Sequence, residues 1–244
     1  MMYKIIVLTG FHGEKEINCN KKSVQIQNEV EIVDHLIGSD MTLDECQTWV
    51  FNQCIQNKHR CDYFLKLDAD MVLKTPLSLS QMVKNSRGLN RLTYLVDDYI
   101  SGSKIIGVHI IPSNLVPHER ILHASRHDYW IEALPGKVRF SSYVDHAPMA
   151  SNQQIQHFVK QRVDKAITEG VKSSYWVVIL KMLLNLLIAP NKDKANVTFS
   201  VLSEQFALNK ISLSFIIPTL IYATIKYVYI SVQSGLRLLF NSEK

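Results

Sequence analysis

The chain opens with an apolar run at residues 3–9 that closes on Thr9-Gly10, the pattern of a buried strand ending in a turn. A polar stretch carrying Gly13, Asn18 and Asn20 follows. A second apolar run at 30–37 then stops at Gly38-Ser39-Asp40. Thr42-Leu43-Asp44-Glu45 has the form of a helix capping box, with Thr42 as the cap and Glu45 as its reciprocal partner. Behind it Cys46, Trp49, Val50 and Cys54 recur at helical spacing, which predicts one buried helix face. A third strand is predicted at 63–67, its apolar run interrupted only by Lys66, and it leads straight into Asp68-Ala69-Asp70 before Pro76 ends the segment. Further strands are predicted at 92–96, 104–111 and 138–144, with a polar, His- and Arg-rich region at 117–130. Ser151-Asn152-Gln153-Gln154 is a second capping box. The helix it opens buries Ile155, Phe158, Val159, Val163 and Ile167, and Gly170 is a natural stop.

Alternation of strands and helices to about residue 170 predicts an α/β fold with a mainly parallel central sheet and flanking helices. Past Gly170 the pattern changes. Residues 175–189 read as an apolar helix with Lys181 and Asn185 on one face, shorter than the roughly 20 residues a bilayer span needs. Residues 211–232 are long enough, but Pro218 inside and Lys226 near the end favour packing or an interfacial position over spanning. The expected organisation is one catalytic domain over 1–170 and a helical region over 171–244.

Charge sharpens that division. The formal net charge is +5, yet residues 1–170 hold 19 Lys/Arg against 19 Asp/Glu, so the whole excess lies in 171–244, with 8 basic and 3 acidic residues. A segment both basic and apolar suits peripheral contact with an anionic membrane surface; the alternative is a helical subdomain with a solvated basic face. The four cysteines, Cys19, Cys46, Cys54 and Cys61, form no C-x-x-C pair and no disulfide framework, which fits a reducing cytoplasm. The N-terminal apolar run is too short for a signal peptide. The expected place of work is the cytoplasm, at the cytoplasmic face of a membrane, with no nucleic-acid partner.

The residues that carry chemistry are centred on Asp68 and Asp70. Two carboxylates at i and i+2, where a buried strand leaves the sheet, can converge on one hard divalent cation. The exit from the carboxyl end of a strand is also where open α/β sheets bind ligands. Such a cation bridges the phosphates of a nucleoside diphosphate and stabilises the charge that grows as the leaving group departs. An Asp-x-Asp triplet alone is a weak signal, and its plain alternative is a solvated turn. The apolar strand before it and the two strands before that strand raise its weight.

The order "IIVLTG", then "VEIVDHLIGSD", then a helix, then "DYFLKLDADMVL" resembles the nucleotide-binding half of A-type glycosyltransferases, in particular the family-2-like group. The resemblance covers residues 3–75 and weakens over 76–170. It implies a sugar transfer from a nucleotide-sugar donor to a glycan or lipid-linked acceptor, as in surface polysaccharide or glycoconjugate synthesis. It further implies that Asp68 and Asp70 hold Mn²⁺ or Mg²⁺ on the donor diphosphate. Asp34 or Asp40 falls where the family places an acid on the base, though "VDHLIGSD" follows that pattern only loosely. A late histidine often completes the metal site, and His146, just after a predicted strand, is the candidate; its plain alternative is a loop histidine.

A general base is required if the transfer inverts the anomeric centre. Asp97, Asp98, Glu119, Asp128, Glu132 and Asp145 are the acidic candidates. Asp128 comes first because Tyr129 and Trp130 beside it could stack on a sugar, against the alternative that these aromatics are core. The cluster His118, Arg120, His123, Arg126 and His127 could bind a diphosphate or an anionic acceptor, or be solvated. Two rival readings stay open. A haloacid-dehalogenase-type phosphatase would use Asp68 as nucleophile and Asp70 as acid/base, but its motif usually lies on the first strand. A non-catalytic, membrane-associated binding protein would keep the fold and work through its C-terminal helices.

Overall fold

The computed structural model describes residues 2–86, 90–100, 103–120, 129–170, 172–173, 175–180, 200–201, 221–222 and 224–225. The chain divides into two compact units, one of residues 1–99 and 103–149, the other of 100–102 and 150–244. The helix opened by Ser151, placed by the sequence at the end of the catalytic domain, falls in the second unit.

The first unit is a seven-stranded sheet with helices. In chain order it contains β1 (Tyr3–Phe11), α1 (Ile17–Gln25), β2 (Val30–Ser39), α2 (Leu43–Asn57), β3 (Tyr63–Lys66), β4 (Met71–Leu73) and α3 (Ser78–Lys84). It continues with β5 (Arg91–Asp98), β6 (Ser103–Pro112), a 3₁₀ turn (Ser113–Leu115), α4 (Tyr129–Glu132) and β7 (Gly136–His146). The strand order is β2-β1-β3-β6-β5-β7-β4. Strands β1, β2, β3, β5 and β7 share one direction while β6 and β4 run against them, so the β3–β6, β5–β6 and β4–β7 pairings are antiparallel. The sheet is therefore mixed rather than mainly parallel. The link from β5 to β6 is too short for a helical crossover, so β6 returns beside β5 and wedges between it and β3.

Two apolar clusters lie on the sheet's two faces. Ile5, Val7, Tyr63, Leu65, Leu92, Tyr94, Val108 and Ile110 belong to one, and Ile6, Leu8, Phe64 and Ile111 join Val50, Phe51, Cys54 and Trp130 in the other. Strand alternation explains the split, since neighbours in a strand point to opposite faces. The box at α2 forms as the sequence predicts: Glu45 N–H donates to Thr42 Oγ1 (3.3 Å) and Thr42 N–H to the Glu45 carboxylate (2.7 Å).

Four helices and strands escape the hydrophobic pattern: α1, β4, α3 and α4. The inward side of α1 is polar. The Asn20 side chain donates to the carbonyls of Asp68 (3.0 Å) and Met71 (2.8 Å), and Ser23 Oγ accepts from Leu73 N–H (3.2 Å). Gln27 donates to Thr75 O and accepts from Leu79 N–H, both at 2.9 Å. The helix and the turn after it, with Gln27, thus clamp the chain from Asp68 to Leu79 through hydrogen bonds, beside the buried side chain of Val24 in the same core cluster as Met71 and Leu73.

In the second unit, α5 (Asn152–Glu169) starts at the predicted Ser151/Gln154 box and ends at Gly170, which has a φ of 82°. Ile155, Val159, Val163 and Ala166 are buried along it, and Arg162 lies over the rings of Phe158 and Tyr175. Among the described residues no helix is long and apolar enough to cross a membrane. Lys181, Asn185, Pro218 and Lys226 lie outside the described residues.

Candidate active site

The site is built at the carboxyl ends of β1, β3, β5 and β7. Strand β3 is buried throughout, and its last residue, Lys66, hands the chain to the Asp68–Asp70 loop. That loop is anchored through several of its backbone groups. Ala69 N–H donates to Gly10 O (3.3 Å), Met71 N–H to Asp68 O (3.0 Å) and Ala147 N–H to Asp70 O (2.8 Å), while Asn20 holds the carbonyls of Asp68 and Met71. The short antiparallel pairing of β4 with the end of β7, Met71 opposite His146, brings the histidine to the loop.

His146 bridges two carboxylates. Its Nε2 lies 3.1 Å from Asp70 Oδ2 and its Nδ1 2.9 Å from Asp98 Oδ1. Asp98, at the end of β5, has a side chain only 1% exposed. Burial works to lower the imidazole pKa, but the hydrogen bonds and charges of Asp70 and Asp98 outweigh it and push it up to about 10. Asp68 is turned the other way: its Oδ1 lies 3.0 Å from Nζ of Lys66, whose side chain is 6% exposed.

A cavity of about 460 Å³ collects these groups. Gly10, His12, Glu14, Leu43, Cys46, Gln47, Lys66, Asp68, Asp70, Glu132 and His146 line it. A Cβ at Gly10 would overlap Cys46 Sγ, so the missing side chain lets α2 lie against the end of β1 at the cavity wall.

Solved structures resemble the chain at low identity, three of them as follows. A197 from STIV is 11% identical, with a TM-score of 0.43 over 58% of this chain and 83% of that one. A glycosyltransferase involved in the glycosylation of the major capsid of PBCV-1 is 12% identical, with a TM-score of 0.40 over 63% and 98%. HddC from Yersinia pseudotuberculosis, complexed with GMP-PN, is 12% identical, with a TM-score of 0.39 over 64% and 100%. At these values the likenesses assign no activity to the chain. No family model matches it, and no curated protein matches it in sequence.

The residues singled out in the sequence fare differently in the structure. Asp68, Asp70 and His146 come together at one cavity. Asp34 and Asp40 do not line it. Asp34 sits mid-way along β2 with its carboxylate 3.4 Å from Arg60, and Asp40 is an exposed turn residue with a φ of 58°. Asp128, His123, Arg126 and His127 lie outside the described residues. Trp130 is core, fully buried and packed edge-on against Phe51 at 5.2 Å, and so it does not offer a face to a sugar. Arg120 is tied to α2 through Asp44 (2.7 Å) and Thr48. Among the other acids, Asp97 and Asp145 are joined by Lys74. Among the described base candidates, Glu132 is the one that lines the cavity.

Whether these residues suit a divalent cation is tested by their unmet hydrogen bonding. Asp70 Oδ1 is buried and has no hydrogen-bond partner, an unusual condition for a carboxylate oxygen and the one a cation relieves. The donor set of two carboxylates and an imidazole fits Mn²⁺ or Mg²⁺. As the side chains stand, among the described residues no three His, Cys, Asp or Glu groups are gathered tightly enough to hold a metal ion, and Asp68 is paired with Lys66. A cation would thus compete with the Lys66 ammonium for Asp68. The sequence passed over Lys66 as an interruption of an apolar strand, although a charged residue in a run otherwise fit for burial is itself a signal. Asp98, one of the acidic candidates, binds His146, which lies 48 residues away in the chain.

Proposed function

We propose that this chain is a divalent-metal-dependent glycosyltransferase that moves a sugar from a nucleoside-diphosphate sugar to a glycan or lipid-linked acceptor, on an A-type fold. The observation that carries the reading is the meeting of Asp68, Asp70 and His146 at the strand ends, in one cavity with Lys66 and Glu132. Asp68, Asp70 and His146 would hold Mn²⁺ or Mg²⁺. Bound there, the cation supplies positive charge to the departing nucleoside diphosphate.

The chain's own groups do the rest. Asp98 accepts from His146 Nδ1 and so aims Nε2 at the Asp70 side of the cavity, the arrangement that fixes a ligating imidazole. Lys66, nearly buried at the cavity floor, adds a second positive charge beside Asp68. Glu132, on α4, is the carboxylate placed to take the proton of an acceptor hydroxyl in an inverting transfer. Arg91 steadies that turn, donating from Nη2 to Glu132 O (3.3 Å) and from Nε to Leu134 O (3.4 Å). The phosphatase alternative gains nothing here, since β1 and β2 precede the Asp-x-Asp strand in the chain.

The test is Mn²⁺-dependent turnover of nucleoside-diphosphate sugars, read as release of nucleoside diphosphate. Asp70→Asn should abolish it. Glu132→Gln should lower transfer by about 100-fold or more while leaving donor binding intact. Full activity in Asp70→Asn would refute the assignment.

A further inference from the structure

At the opposite ends of β5 and β7 from Asp98 and His146, the structure gathers positive charge. Lys84 and Asn85 at the end of α3, Leu92 of β5, and Lys137 and Arg139 of β7 line a second cavity, of about 410 Å³. It has no lining residue in common with the first. Lys137 and Arg139 stand two apart on one face of β7, opposite Leu92 and Tyr94 of β5. The end of α3 is pinned over the same face: the Asn85 side chain donates to the Tyr94 hydroxyl (3.1 Å), which donates to Met82 O (2.9 Å). Strand β4 joins β7 only at Val144–His146, well past the cavity, so that contact does not close it off. Lys84, Lys137 and Arg139 are all exposed, and a ligand can reach each of them.

The charge count narrows the ligand. None of the described lining residues is acidic. Lys84 is paired at 2.6 Å with Glu29, which stands outside the lining, and among the described residues Lys137 and Arg139 have no carboxylate partner. Three cations less the one that Glu29 offsets leave two uncompensated positive charges around one hollow. Like charges held together repel, and an entering anion relieves them. A phosphomonoester carries about −1.5 to −2 at neutral pH and matches the pair, whereas a carboxylate or a phosphodiester carries only one charge. An Arg fork beside Lys ammonium groups is also the donor set that suits a phosphate's several oxygens.

We propose that this cavity binds a phosphomonoester group, on a lipid headgroup or on a soluble metabolite, through Arg139, Lys137 and Lys84, with Glu29 competing for Lys84. Arg139 and His146 lie near opposite ends of β7 (Gly136–His146), roughly 20 Å apart at the rise of a strand. The site therefore holds its ligand away from the Asp68–Asp70–His146 group rather than reacting with it, and it does not depend on the glycosyltransferase reading.

The experiment has a soluble arm and a lipid arm, both run without divalent metal so that the Asp68–Asp70–His146 cavity stays silent. In the first, glycerol 3-phosphate is titrated calorimetrically into the full chain. In the second, the chain is floated with phosphatidylcholine vesicles that carry phosphatidic acid, a phosphomonoester, or phosphatidylglycerol, a phosphodiester, at equal surface charge. Each arm compares the wild type with the double variant Lys137→Gln/Arg139→Gln and with Glu29→Gln, all exposed positions whose substitution should leave folding cooperative. The wild type should bind the phosphomonoester in at least one arm, and phosphatidic acid in preference to phosphatidylglycerol if the source is lipid. The double variant should weaken that binding by about 10-fold or more. Glu29→Gln, which releases Lys84, should tighten it by about 3-fold. Binding of glycerol 3-phosphate identifies a soluble source, and binding of phosphatidic acid vesicles alone identifies a lipid. Equal binding to both kinds of vesicle with none to glycerol 3-phosphate would show diffuse surface charge and overturn the proposal. Binding that survives in the double variant would place the anion elsewhere on the chain and overturn it too, as would no binding in either arm or no gain in Glu29→Gln.

Discussion

At the scale of the residue, His146 concentrates the physics of the site. Its folded-state pKa of about 10 lies above the roughly 6.5 of an unfolded histidine, so the imidazolium is stabilised by folding. That stabilisation is complete below about pH 6.5 and is lost as pH rises toward 10. Denaturant unfolding of the wild type and His146→Gln across this range, without added metal, should show a gap that shrinks as pH rises. At neutral pH the gap should be about 3 kcal/mol, since removing the imidazolium leaves the carboxylate of Asp98 buried without it. A gap independent of pH would contradict the charged state. Metal binding requires the neutral ring, so Mn²⁺ affinity should rise with pH over the same range, opposite to the stability gap.

At the scale of the element, α1 is the piece with the clearest duty. With Gln27 just past its end, it holds the Asp68–Leu79 stretch by hydrogen bonds that Asn20 and Gln27 donate and Ser23 accepts, and Asn20 spans the carbonyls on either side of Ala69-Asp70. Asn20→Ala frees two carbonyls in the interior and should weaken Mn²⁺ binding about 10-fold, measured by titration of the ion alone, while Asn20→Asp, which keeps the length and loses the donors, should not rescue it. Unchanged Mn²⁺ affinity in Asn20→Ala would remove the helix from the site. The same helix shows why the sequence was legible in some places and not in others. Strands β1, β2, β3, β5, β6 and β7 and helices α2 and α5 advertise themselves by apolar period or by capping boxes, and the structure contains them within a few residues of the predicted bounds. Helix α1 buries Asn20 and Ser23 where a periodicity argument seeks Leu or Ile. Strand β4, Met71–Leu73, is short and exists through its pairing with β7, a long-range event that local pattern does not carry.

At the scale of the whole molecule, the candidate site draws on segments that only the sheet brings together: the end of β1 at Gly10, Gln47 of α2, the loop after β3, Glu132 of α4 and the end of β7 at His146. The sequence named Asp68, Asp70 and His146, because strand-end carboxylates and a strand-end histidine are visible locally. The resemblance offered Asp34 or Asp40 for the nucleobase; neither is among the residues that line the cavity, and Gln47 is. A buried amide without a partner is a property of packing, and no run of letters displays it.

The central claim is that a metal held by Asp70 and its neighbours makes this cavity a nucleoside-diphosphate site. The most direct measurement is titration of UDP and GDP into the purified protein, with and without Mn²⁺, for the wild type and Asp70→Ala. At least one of them should bind in a manner that requires Mn²⁺ and vanishes in Asp70→Ala, while the variant still unfolds cooperatively. Binding that needs no metal and survives in Asp70→Ala would contradict it.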